Sequence, residues 1–430
     1  MEKKRSTEIH EIFSGLSQSK EAYNTLKSFM HNILNEPELD RLINNINLDL
    51  KKILNADQCL LFLYNSKKKE LWTKGLSSGN EKIRFSIEEG IVGKVFQKGN
   101  IFITNANQPE DAGLLQEYNK KINFETKSVI SVPLNNKSGK IIGIFQGLNK
   151  KENYFSLKDK ELLLAIEPIL SSAILNVQVH KENKKALISF IDAISNTLDI
   201  RDYIMAGHSR RVTLYALEIG RKIKLGPKQM EILKFSGLLH DIGKIGVPEV
   251  VLFKDRRLSE EEYEILKQHA SLTKTILMGV HFGNDLKSIP GIASAHHEKL
   301  DGTGYPENLK GDQIPLESRI LAVVDVFDAL TSRRRFRDRM PLEEVIRTLD
   351  SETGSSFDPF IVYNFKLIEL NRLLLILEYG HTDRLNEQDL TRLQDYSLKE
   401  LIEIREKVVK NDLEIEIENI FMRYYLRKDN

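Results

Sequence analysis

His296-His297-Glu298-Lys299-Leu300-Asp301-Gly302-Thr303-Gly304-Tyr305-Pro306 sets two adjacent imidazoles directly before a Gly-rich, Pro-terminated turn. It reads as a metal site beside a loop that meets substrate. Consecutive residues of a helix point about 100° apart, so the two histidines suit one ion only at a helix end, or else two different groups in one cluster. An isolated His-His pair would be an ordinary core or surface feature. Here six of the ten histidines, His208, His240, His269, His281, His296 and His297, lie between positions 208 and 297, three of them with carboxylates close by in sequence.

Upstream, His240-Asp241 is the most informative pair. It ends the segment 229–239, whose apolar spacing of three and four predicts a helix, and Ile242-Gly243-Lys244 follows. A buried helix does not hold a His, an Asp and a Lys within five residues without partners, because unpaired buried charge costs several kcal/mol. A divalent metal is the natural partner.

The runs His240-Asp241-Ile242-Gly243-Lys244, Lys267-Gln268-His269, His296-His297 through Pro306, and Ala322-Val323-Val324-Asp325-Val326-Phe327-Asp328-Ala329-Leu330-Thr331-Ser332 resemble, in order, the motifs of the HD-GYP subgroup of HD phosphohydrolases. The resemblance covers residues 185–370. It implies an all-helical domain whose metal cluster hydrolyses the bacterial second messenger cyclic di-GMP. By residue matching, His208, His240, Asp241 and Asp325 correspond to the minimal ligand set, and His269, His296 and His297 to the added ligands of a second metal. Asp241 is the expected bridge, since a carboxylate has two oxygens to share. Imidazole and carboxylate without thiolate suit iron or manganese, and two such ions support an in-line displacement at phosphorus.

Within that resemblance Asp241 and Lys244 are the expected catalytic pair. Lys244 stands three residues beyond Asp241 and faces the same site if the helix continues. Asp301, Gly302, Gly304, Tyr305 and Pro306 are expected to meet substrate, glycine allowing close backbone approach and tyrosine a stacking face; fold maintenance is the alternative for Gly302 and Pro306. In Arg333-Arg334-Arg335-Phe336-Arg337 the family's Arg-Pro-Tyr is altered, Arg335 and Phe336 replacing Pro and Tyr. Arg334 and Arg337 keep the cationic positions that the resemblance assigns to substrate, with a solvated charge run as the alternative. His281 matches no ligand position. Family members with three metals carry a Glu one helical turn before the first His, and that position here is Ile204, with Asp202 the nearest acid upstream. Two metals per protomer are therefore expected, with linear pGpG leaving after one cut and GMP appearing slowly if at all.

Length and charge set the frame. At 430 residues the chain is long enough for two to three domains, each with its own core. Sixty-three basic against 62 acidic residues give no general attraction to nucleic acid or to an anionic membrane. Cys59 is the single cysteine, in keeping with a reducing cytoplasm. The apolar stretch 162–179 is broken by Glu167, Pro168, Asn176 and Gln178, so no membrane span is expected.

Residues 1–35 read as a helical leader. From 36 to 178 the pattern mixes helix and strand: 39–54 predicts a helix, 59–64 a buried strand, and 128–134 with 140–148 a hairpin. These suggest an α+β sensor module with helices on one face of an antiparallel sheet. Its residues resemble a GAF domain through Glu89-Gly90-Ile91-Val92-Gly93-Lys94-Val95, Val132-Pro133-Leu134, and the set Asn149, Lys150, Phe155 and Asp159. That set recurs in the cyclic-nucleotide-binding branch, where it supports the fold around the pocket; Lys160 stands where the branch has Glu. A cyclic nucleotide is one candidate ligand, another small molecule or none the alternatives. A helical connector, 160–195, overlaps the end of this module, with Pro168 expected to kink or interrupt it. It either forms a coiled coil in a parallel homodimer or merely caps the two cores. The last part, 371–430, reads as a helical extension of unknown role, with 400–410 helical and 412–418 alternating like a strand.

The expectation is thus an α+β GAF sensor domain followed by an all-α HD-type phosphohydrolase domain, acting as a cytoplasmic, metal-dependent cyclic di-GMP phosphodiesterase. A catalytically weak protein that senses cyclic di-GMP for a partner is the competing class.

Overall fold

The computed structural model describes residues 20–34, 36–74, 82–105, 112–152, 154–201, 207–254, 256–332 and 338–427. Contacts separate two compact units that divide between Ala186 and Leu187.

In the first unit α1 (Lys20–Leu34) and α2 (Leu39–Ile53) precede β1 (Ala56–Asn65), β2 (Glu70–Lys74) and β3 (Lys82–Ser86). Then come α3 (Gly90–Lys98), β4 (Phe102–Asn105), α4 (Ala112–Ile122), β5 (Ser128–Asn135) and β6 (Ile141–Lys150). The strands form one antiparallel sheet in the order β3-β2-β1-β6-β5-β4. The expected hairpin is β5–β6, with Val132 opposite Phe145. Asn136 closes its turn by accepting from the Lys140 amide through its side chain at 2.9 Å.

Helices cover both faces of this sheet, where the strand pattern suggested one. The reason lies in β1, whose run Cys59-Leu60-Leu61-Phe62-Leu63 is apolar at every position. Successive side chains of a strand point to opposite faces. Cys59, Leu61 and Leu63 pack with Leu42, Ile46, Leu163 and Ile166, while Leu60 and Phe62 pack with Ile91, Val92 and Tyr118. A strand with no polar side needs cover on each side.

The long helix α5 (Leu157–Arg201) continues through Pro168 without interruption. Pro168 is exposed, and its neighbour Glu167 accepts from the Asn135 amide at 2.6 Å and from Ser171 Oγ at 2.8 Å, which ties this turn to the sheet. By length and composition part of α5 is apolar enough to cross a membrane. Its Leu163, Ile166, Leu170, Ala173, Ile174 and Val177 are nevertheless buried in the core of the first unit, and Ile191 belongs to the core of the second.

The second unit is built of helices. They are α6 (His208–Lys222), α7 (Pro227–Leu239), a 3-10 turn Ile242–Gly246, α8 (Glu249–Leu252), α9 (Glu260–Met278), α10 (Gly283–Leu286), α11 (Ile289–Ser294) and α12 (Leu316–Thr331). After them come α13 (Leu342–Ser351), α14 (Pro359–Lys366), α15 (Leu370–Leu377), α16 (Glu387–Leu393), α17 (Leu398–Glu406) and α18 (Asp412–Tyr425). Apolar residues of α15 to α18, among them Leu373, Leu393, Leu401 and Phe421, join the same core as Val212, Leu233 and Val324.

Residues 412–418 are helical despite their alternation. Asn411 accepts from the Glu414 amide at 2.9 Å while Glu414 accepts from the Asn411 amide at 3.0 Å, a reciprocal cap. The buried set Ile417, Ile420, Phe421 and Tyr424 then follows helical spacing. The helix expected over 400–410 stops at Glu406.

Candidate metal centre

Helix ends bring the expected ligands together. His208 opens α6 behind Gly207, whose φ of 74° turns the chain into the helix. His240 caps the C-terminal end of α7, His269 lies within α9, His296 and His297 follow α11, and Asp325 lies within α12. The approach of His240-Asp241 to α9 depends on Gly243. Its amide donates to Thr273 Oγ1 at 2.9 Å, and that hydroxyl donates to the His240 carbonyl at 2.9 Å. A Cβ on Gly243 would stand 1.9 Å from the His269 carbonyl oxygen, so only glycine lets the two backbones meet.

Three histidines are oriented by the same device. Nδ1 of His240, His269 and His296 donates to the carbonyl three residues earlier, Gly237, Leu266 and Ala293 respectively, each at 2.7 Å. A carbonyl only accepts, so Nδ1 carries a proton in each, and Nε2 is the atom turned to the cluster, a ligand once it is free of its own proton. Asp241 turns one oxygen to each side. Oδ2 lies 3.3 Å from His240 Nε2 and 3.7 Å from His208 Nε2, while Oδ1 lies 3.4 Å from His269 Nε2 and 3.8 Å from His296 Nε2. Potential donor atoms fall into three overlapping groups, His208/His240/Asp325, His240/Asp241/His296 and His269/His296/His297, each within 4.8 Å.

These residues fit a divalent cation. Nε2 of both His208 and His240 is buried without a hydrogen-bond partner, the His208 atom lying 3.0 Å from Asp325 Oδ1. Buried polar atoms left in this state are costly, and a cation would satisfy both together. Lys244 reaches Asp241 Oδ2 at 2.6 Å. It does so from a 3-10 turn and not from the continued α-helix that the spacing suggested, because residues three apart eclipse in a 3-10 helix.

The electrostatics differ along the cluster. Burial alone would lower His240, but Asp241 and Asp325 raise it to about 10. Against the opposing effect of burial, Lys244 and His240 hold Asp241, and His208 and His240 hold Asp325, well below the carboxylate range. His297 is pushed down to about 3, chiefly by burial, and His296 also falls well below the ordinary histidine value.

The Gly-rich loop meets the centre through Tyr305. Its amide donates to the His297 carbonyl at 3.2 Å, and its ring centroid is 4.8 Å from that of His297. Gly304 passes so close that a Cβ would lie 2.3 Å from the Lys299 nitrogen. Gly302 has φ +85°, and Pro306 follows Tyr305 through a cis peptide bond. Asp301, expected to meet substrate, is exposed and bonded within its own turn, accepting from the Thr303 amide at 2.8 Å and hydroxyl at 2.6 Å. His281 is exposed and belongs to none of the three donor groups. Arg334, Arg337, Ile204 and Asp202 lie outside the described residues.

Several supporting residues were not singled out from sequence. Glu298, 3% exposed, braces the loop by accepting from the amides of Glu307 at 2.7 Å and Leu309 at 2.9 Å. Asp328 is fully buried and accepts from His208 Nδ1 at 2.8 Å. Burial would raise its carboxyl, but Arg211 and His208 bring it to about 2. The available signal was spacing: Asp328 follows Asp325 by three residues and Arg211 follows His208 by three, each on the same helix face. Thr273 stands four residues after His269 in the same way.

In the first unit the Asn149, Lys150, Phe155 and Asp159 set is engaged with its own scaffold. Asn149 accepts from the Lys127 amide at 2.6 Å and donates to the Glu125 carbonyl at 2.8 Å. Lys150 pairs with Asp159 and sits 5.9 Å from the Phe155 ring centroid. Asp159 also accepts from the Ser156 amide at 2.7 Å, which fastens the start of α5.

An antiparallel sheet module is thus followed by a helical unit built around a His/Asp cluster. Residues 38–174 match the GAF domain family and residues 192–361 the HD domain family. The chain thus carries a GAF domain followed by an HD domain. It is 37% identical over 169 residues to "3'3'-cGAMP-specific phosphodiesterase 3" of Vibrio cholerae, covering 39% of this chain and 36% of that one. Identity to "Cyclic di-GMP phosphodiesterase" of Thermotoga maritima is 35% over 188 residues, covering 44% and 51%. To "Probable cyclic di-GMP phosphodiesterase" of Vibrio cholerae it is 30% over 290 residues, covering 63% and 61%. The chain spans less than two thirds of the length of each of these relatives.

Proposed function

We propose that the protein is a metal-dependent phosphodiesterase that hydrolyses cyclic di-GMP to linear pGpG under the control of its GAF domain. The observation that carries this reading is Asp241, whose two oxygens face two separate groups of inward-turned imidazoles. His208, His240 and Asp325 would hold one ion, His269, His296 and His297 a second, and Asp241 both, with iron or manganese the metals this ligand set suits. When bound, such ions supply an activated water and charge stabilisation at phosphorus.

The chain's own groups do the rest. Carbonyl-anchored Nδ1 atoms keep Nε2 of His240, His269 and His296 aimed, so little reorganisation accompanies binding. Lys244, held on Asp241, is placed to meet a nonbridging phosphate oxygen. Tyr305, against His297, offers a face for a base, and the glycines of its loop let the backbone close on the ligand. Arg334 and Arg337 supply phosphate or guanine contacts through arginine's planar fork. A homodimer joined along α5 in the cytoplasm, with a cyclic nucleotide or other small molecule at the GAF domain, completes the reading.

The test is metal analysis of the purified protein together with product analysis after incubation with cyclic di-GMP and, since one relative is named for it, with 3'3'-cGAMP. No turnover of either by metal-loaded protein would overturn the enzyme reading in favour of a sensing protein.

Further outcomes follow from individual residues. With Ile204 where a third ion would need Glu, pGpG should accumulate and GMP form slowly; equal rates for both cuts, or three metals per protomer, would contradict this. Replacing both Arg334 and Arg337 by Ala should raise KM with metal content unchanged, and an unaltered KM would return that stretch to solvated charge. Metal affinity should rise with pH. Because Asp241 and Asp325 raise His240 to about 10, the metal-free protein carries that proton at neutral pH and an ion must displace it. Affinity should therefore fall by roughly tenfold per pH unit for each proton displaced as pH drops, measured by chelator competition from about pH 8 down to about pH 6, all of it below the point where His240 would lose its proton unaided. A flat profile would refute the displacement.

A further inference from the structure

We infer that Asp328 is a positioning residue that makes the two ends of the cluster unequal, the His208/His240/Asp325 end being the tighter position for a divalent ion. The inference rests on the metal-dependent reading above. His240, His269 and His296 lean on neutral backbone carbonyls. His208 instead donates Nδ1–H to a buried carboxylate, Asp328 Oδ2, at 2.8 Å. A carboxylate at that nitrogen fixes the tautomer and makes the opposite nitrogen, Nε2, a stronger donor.

Asp328 is itself locked. Arg211 Nε donates to Oδ1 at 2.7 Å, Arg211 Nη2 to Oδ2 at 3.0 Å, and Ser332 Oγ to Oδ2 at 2.8 Å. Arg211 Nη2 also donates to Ser332 Oγ at 2.8 Å. Any rotation of the carboxylate would break this fork inside a site from which water is excluded, so the His208 ring is held in one orientation.

Charge acts in the same direction. The His208 end has the whole Asp325 carboxylate besides the Asp241 oxygen that also holds Lys244, whereas the other end has three imidazoles and the other oxygen of Asp241. An anionic oxygen ligand attracts a dication more strongly than a neutral imidazole does. The ends should therefore fill in order, the His208 end first.

The test uses full-length, metal-stripped protein titrated with Mn2+ against a chelating indicator. Wild type should take up two ions in two steps, and His297→Ala should remove the weaker step while sparing the tighter. Asp328→Asn keeps an acceptor for Nδ1–H but removes the charge, and should weaken the tighter step by about 10- to 100-fold with the weaker step unchanged. Ser332→Ala, which removes one bond to Asp328 without altering charge, should weaken the same step by a smaller factor. It serves as the test if Asp328→Asn does not fold by circular dichroism. Two equal steps in wild type, or a tighter step unaltered in the folded variants, would overturn the inference while leaving the metal reading intact. Absence of any Mn2+ uptake by wild type would overturn both.

Discussion

Asp241→Ala should abolish hydrolysis. Each oxygen of this carboxylate serves a different histidine group, Oδ2 near His240 and His208 and Oδ1 near His269 and His296. Its removal takes the shared ligand from both positions and leaves Lys244 without the carboxylate that places it. Loss of one stabilising donor at a reacting centre already costs roughly 10²- to 10³-fold in kcat; loss of a ligand common to both ions should exceed that. The measurements are kcat on cyclic di-GMP and metal content, with circular dichroism to confirm folding. Full activity at normal metal content would sink the two-metal assignment.

Gly243→Ala should be nearly as damaging, although Gly243 touches no substrate in this reading. The added Cβ would stand 1.9 Å from the His269 carbonyl oxygen and 2.5 Å from the Thr273 nitrogen, both of them backbone atoms that cannot rotate aside. Either the substitution costs more than about 4 kcal/mol, in the range of the most damaging single changes, or the 3-10 turn moves off α9. In the second case His240-Asp241 parts from His269, and metal is lost. The checks are the thermal midpoint and Mn2+ stoichiometry, with Gly291→Ala as the control. Gly291 lies in α11, where a Cβ would meet nothing within 4 Å, so that change should be neutral or slightly stabilising. A Gly243→Ala protein with wild-type midpoint and full metal would refute the close-approach argument.

Much of the centre was legible because its chemistry is local. His240-Asp241 with Lys244, and His296-His297 before a Gly-rich turn, are uncommon residue types packed into short runs, and no apolar core needs them. The β5–β6 hairpin and α2 were equally legible, since turn residues and hydrophobic period are properties of neighbouring residues. Where neighbours disagreed the reading failed. Residues 412–418 alternate like a strand, but Asn411 and Glu414 close a helix cap and the later apolar residues choose the helical face. Pro168 signalled a break, yet it faces solvent and α5 runs on.

By itself the sequence determined which residues could ligate a cation, and that the chain joins a sheet-forming module to a helical one. It also determined that both sides of β1 would need cover, although this shows only when Leu60 and Phe62 are read as facing away from Leu61 and Leu63. Tertiary structure alone decided how the His208 ring and the His240 backbone are held, while His240, His269 and His296 each orient their rings on a carbonyl three residues back. Asp328 reaches His208 across 120 residues of chain, and Thr273 reaches His240 across 33. Asp301, alike in sequence to the residues that meet the centre, spends its carboxylate on Thr303 at its own turn. The physical reason is that a side chain's partners are set by the packing of helices distant in sequence. Local spacing limits which faces residues share, but it does not say which other face will lie against them.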